Sequence, residues 1–91
     1  MDENDEILLE KLYQLKQMLS DIMLRRAGWL SRLEGVQTEL QAGLQPQRVG
    51  AMLAEFYELR ARLDLIKIEQ DVLSDWTKEN LPSEFHLTLD D

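Results

Sequence analysis

Ninety-one residues with 18 acids against 10 bases form a small chain of net charge −8, long enough for one domain that buries a modest fraction of its surface. The absence of Cys excludes disulfides, thiolate metal sites and thiol nucleophiles. The acidic start MDENDEILLEKL is unlike a basic signal or transit peptide, and no apolar run approaches the roughly 20 residues of a membrane span. The expectation is a soluble cytoplasmic chain, with the nucleus open, that does not engage a membrane.

The charge is unevenly placed. Asp2, Glu3, Asp5, Glu6 and Glu10 give residues 1–10 a charge of −5, and Glu79, Glu84, Asp90 and Asp91 give residues 79–91 a charge of −4. The ten bases all lie in 11–78, against nine acids. The ends are acidic and the body is nearly neutral, which does not describe a nucleic-acid mimic.

From Leu8 to Leu40 the apolar residues follow a heptad. Leu8, Leu15, Ile22, Trp29 and Val36 take one seam position; Leu12, Leu19, Leu33 and Leu40 take the other, interrupted by Arg26. Glu, Lys, Gln and Arg, good helix formers, fill the spaces. Asp2 or Asn4 caps the start, and the acidic first turn suits the positive end of the helix dipole. Gly28 and Gly35 each cost about 1 kcal/mol relative to Ala, yet the seam stays in phase across both. The spacing therefore predicts one continuous helix over about 4–42.

Gly43 fits a left-handed position after that helix, and Pro46 fits the first turn of the next. The seam restarts with Val49, Phe56 and Leu63, and with Met52, Leu59, Ile66 and Leu73; Gln70 interrupts it, and Leu81-Pro82 ends it. The stretch LDLIKIEQDVL (63–73) alternates like a strand in its first half. It sits inside the helical pattern and has no strand partner within hairpin distance, so a second helix over about 46–80 is expected. Two long helices and a short turn make an all-α antiparallel hairpin, residues 1–81, with 82–91 as an extended or disordered tail.

Pairing residues whose numbers sum to about 92 sets apolar side chains opposite one another in almost every layer. Arg26 and Gln70 fall in adjacent layers and are expected to meet as a buried polar device that holds register, or Arg26 to reach Glu69.

The hairpin seam does not use all the apolar residues. Leu65, Ile68 and Val72 form a stripe on the far face of the second helix, continued by Ala51, Ala54 and Ala61. Leu9, Met23 and Leu30 flank the seam on one side, and Met18 and Trp76 on the other. Burying a residue such as Leu65 or Ile68 stabilises by about 1.5–3 kcal/mol, and contiguous exposed apolar surface marks an interface. Leu65, Ile68, Val72, Trp76, Leu9, Met23 and Leu30 are therefore the expected contact residues. A second copy of the chain, or a different helical protein, would complete a four-helix bundle or coiled-coil assembly. In the tail, Phe85, Leu87 and Leu89 alternate with polar residues and suit docking, either onto the edge of a partner's sheet or back onto the hairpin.

Chemistry is poorly provided for. His86 is the sole histidine and has Ser83, not Glu, three residues before it; Glu-x-x-His pairs, Gly-rich phosphate loops and metal-ligand spacings do not occur. The expectation is a non-enzyme with no cofactor and no metal, acting as an adaptor, scaffold subunit or small chaperone. The rival reading is a small helical-bundle RNA-binding regulator. It would use a belt of Arg25, Arg26, Arg32, Arg60, Arg62 and Lys67 midway along the hairpin. Glu34, Asp64 and Glu69 in the same zone and the acidic ends disfavour nucleic acid.

Overall fold

The computed structural model describes residues 2–43 and 45–87. It contains two long helices, α1 (Glu3–Gln41) and α2 (Pro46–Asn80), followed by a single 3₁₀ turn, Ser83–Phe85. The helices pack against each other as an antiparallel hairpin, a rod with extents of 65 × 21 × 16 Å. Among the described residues there is no strand, and 63–73 is helical throughout.

The ends lie where the local chemistry puts them. Asp2 is extended, and its carboxylate accepts from the Asn4 amide at 3.3 Å, which satisfies one orphan donor of the first turn. At the other end Gly43 has φ +84°, a left-handed conformation that glycine adopts without a Cβ penalty. Pro46 opens α2, and Leu81 is extended ahead of Pro82, as the bulk of a proline ring demands of the residue before it. α1 runs unbroken through Gly28 and Gly35. A Cβ added at either glycine would meet nothing within 4 Å, so neither is required by a close approach inside this chain.

The core is a single seam in two clusters. Leu15, Ile22, Ile66, Leu73 and Leu81 are buried toward the end where the chain begins, with Leu8, Leu12 and Leu19 packed against them. Val36, Met52 and Leu59 are buried toward the turn, with Leu33, Leu40 and Phe56 around them. Trp29 touches both clusters. Cross-helix contacts follow the expected antiparallel order: Arg48 with Glu39 near the turn, then Arg32 with Glu55, Arg25 with Glu69, and Lys11 with the Asn80 carbonyl.

One polar expectation for the seam needs correcting. Arg26 is exposed and Gln70 half-buried, so they are not a buried polar pair. The arginine facing α2 is Arg25, whose Nη1 lies 2.9 Å from Glu69 Oε2. The heptad assigns Arg26 to the seam, but its long side chain leaves for water. Arg25, 100° round the helix, stands on the edge where Glu69 emerges.

Candidate interaction surface

Met18, Ile22 and Arg25 of α1 and Ile68, Val72 and Trp76 of α2 line an open apolar groove of about 350 Å³ along one side of the hairpin. Ile22 and Leu73 form its floor from the core, and Trp76 is half-buried at its edge. Beyond the groove, Leu65, Ile68 and Val72 are 59, 58 and 62% exposed. Spacings of three and four residues place these three on one helix face, continuous with the groove. Ala51, Ala54 and Ala61 extend the same face toward the turn and are also exposed.

The polar rim of the groove is Asp21, Arg25 and Glu69. Arg25 bridges Asp21 at 2.9 Å within α1 and Glu69 across the seam. The hydrogen bond to Glu69, opposed by slight desolvation and aided by Asp21, holds the Arg25 guanidinium above its ordinary value. A raised cationic pKa keeps this side of the pair charged at every pH below that value. Arg25 and Arg62 also approach the Trp29 ring, at 6.0 and 5.5 Å from its centroid, within cation–π range. The rim is thus rigidly tethered while the floor is bare.

Leu9, Met23 and Leu30 are separated from this groove. Met23 is 64% exposed and lines a shallow depression on the other side of α1 with Leu12, Lys16 and Leu19; Leu9 is exposed and Leu30 half-buried. The contact residues expected from the sequence therefore form two surfaces, Leu65/Ile68/Val72/Trp76 on one side and Leu9/Met23/Leu30 on the other.

The tail returns to the hairpin. Phe85 and Leu87 pack against the cluster of Leu15, Ile22, Leu73 and Leu81, and the His86 ring nitrogen Nε2 donates to the Leu81 carbonyl at 2.7 Å. Both backbone groups of Leu87 are held by α2: its amide donates to Thr77 Oγ1 at 3.1 Å, and its carbonyl accepts from Ser74 Oγ at 2.7 Å. Thr77 is fully buried, and its hydroxyl also donates to the Ser74 carbonyl, so its hydrogen-bonding capacity is used. Ser74 is two residues from both Val72 and Trp76, nearly opposite them on the helix. The tail therefore covers one side of α2 and leaves the Ile68–Trp76 side open. Leu89 lies outside the described residues. This clip escaped the sequence reading, although Ser74 and Thr77 at core-facing positions before an apolar tail are the signal that marks it.

The belt cations are largely committed to carboxylates. Arg25 pairs with Asp21 and Glu69, Arg32 with Glu55 at 2.9 Å and Arg62 with Glu58 at 2.7 Å; Arg26, Arg60 and Lys67 are exposed. Among the described residues no group of three or more His, Asp or Glu is placed to hold a metal ion, and no helix is long and apolar enough to cross a membrane. No known protein family, curated protein or solved structure matches the chain.

Proposed function

We propose that this chain is a non-catalytic protein–protein interaction module, an adaptor, scaffold subunit or small chaperone that works by burying helix faces against a helical partner, a second copy included. The observation that carries the reading is the exposed Leu65–Ile68–Val72 face joined to the Met18/Trp76 groove. Apolar surface of this continuity on a small chain is what an association site provides. The pairing of Arg25, Arg32 and Arg62 with carboxylates weakens the RNA-binding alternative, since cations already neutralised release fewer phosphate counterions.

The test compares the full chain with the double variant Leu65→Asp/Ile68→Asp by sedimentation equilibrium and by binding of a dye that fluoresces on apolar surface. Both positions are solvent-facing in the isolated hairpin, so helicity should be retained while self-association or dye binding falls. A well-folded monomer that binds no dye, and that the double variant leaves unchanged, overturns the proposal.

A further inference from the structure

We infer that the occupant of the α2 face is a second copy of this chain, packed antiparallel across a two-fold axis near Ala61; the inference rests on the interaction-module reading and names its partner. Three observations lead there. The first is area. A compact monomer of 10.7 kDa exposes about 5,500 Å², whereas this hairpin exposes 7040 Å². The surplus of about 1,500 Å² is larger than the roughly 800 Å² each partner contributes to a standard interface, so a stable dimer has the surface it needs.

The second is that the face complements itself in size. Its half toward the tail carries large groups, Leu65, Ile68, Val72 and Trp76; its half toward the turn carries Gly50, Ala54 and Ala61. Antiparallel overlap about Ala61 sets Ile68 of one copy over Ala54 of the other and Val72 over Gly50. A Cβ at Gly50 would meet nothing within its own chain, so room for a neighbouring side chain is open there. A parallel arrangement would instead stack large on large and small on small.

The third is charge. Residues 1–10 and 79–91 are acidic, and both segments belong to the end of the hairpin away from the turn. Side-by-side parallel packing would bring two such ends together. Antiparallel packing separates them by a distance comparable to the 65 Å length of the rod, far beyond the Debye length at physiological salt. The same overlap brings Glu58 of each copy near Arg62 of the other, on the side where the two already bond within one chain at 2.7 Å.

The chain has no native cysteine, so single-cysteine variants report proximity directly. Ala61→Cys, exposed in the isolated hairpin, would lie on the axis, where a disulfide's Cα–Cα reach of roughly 4.4–6.8 Å can be met. The full chain should sediment as a dimer at micromolar concentration. Ala61→Cys should oxidise to a covalent dimer, adding Ile68→Asp should abolish that product, and Ala27→Cys on α1 should give none. A dimer that Ala61→Cys fails to cross-link, or that Ala27→Cys links equally well, overturns the α2 axis and leaves the broader module reading standing. A monomer that still binds apolar dye, and loses it with Leu65→Asp/Ile68→Asp, overturns the second copy alone. A monomer that binds no dye overturns both.

Discussion

Thr77 shows how much a single small side chain does in this hairpin. It occupies the seam one heptad after Gln70, where an apolar group would ordinarily sit, and it is fully buried because its hydroxyl is used twice. Thr77→Val keeps the shape and removes the hydroxyl. It should destabilise by about 1 kcal/mol and raise amide exchange at Leu87, read by hydrogen exchange; unchanged protection at Leu87 would contradict the clip. The helical glycines predict the opposite sign. Nothing obstructs a Cβ at Gly28 or Gly35, so replacing either by Ala should stabilise by up to about 1 kcal/mol. For a chain of this size that is a rise in Tm of about 4–8 °C, measurable by circular dichroism. At this scale the sequence was readable where backbone chemistry decides, as at Asp2, Gly43 and Pro46. It was not readable where one residue's rotation decides: the heptad nominates Arg26, but a step of 100° hands the cross-seam contact to Arg25.

At the scale of the helices, α2 presents two faces, and adjacent residues separate them. Ile66 is 1% exposed, and Ile66→Ala should cost about 2–5 kcal/mol, a large part of the stability of so small a domain. Leu65→Ala, one residue away and mostly solvent-facing, should change the stability of the isolated hairpin by no more than about 0.5 kcal/mol. Urea denaturation at low protein concentration tests the pair, and equal losses would mean that the faces are misassigned. The helices themselves were nearly complete in the sequence, since period, caps and breakers agree. The conformation of the tail was not, because its anchoring depends on Ser74 and Thr77 meeting the Leu87 backbone, a contact between segments that no local period encodes.

For the whole molecule, the leftover apolar face was visible as residues that the seam does not use, but the sequence could not divide it into two separate surfaces. That division depends on how the helices pack, because the shared groove joins Met18 to Trp76 and leaves Met23 behind α1. Hairpin topology also gathers Asp2, Glu3, Asp5, Glu6, Glu79 and Glu84 toward one pole. Like charges at that spacing repel until salt screens them, while exposed ion pairs such as Arg62–Glu58 contribute little. Raising ionic strength from about 0.01 to 0.15 M should therefore raise Tm, and a fall would show that the ion pairs outweigh the pole. The same topology has a mechanical consequence. With Glu3 and Asn80 at one pole and the turn about 60 Å away, tension applied across that pole loads the seam one layer at a time. It opens like a zipper: the tail clip at Leu87 gives way first, then the Leu15–Leu73 cluster, and the turn at Gly43 last. A rod of this kind resists bending along its length yet yields at low force when its two arms are pulled apart.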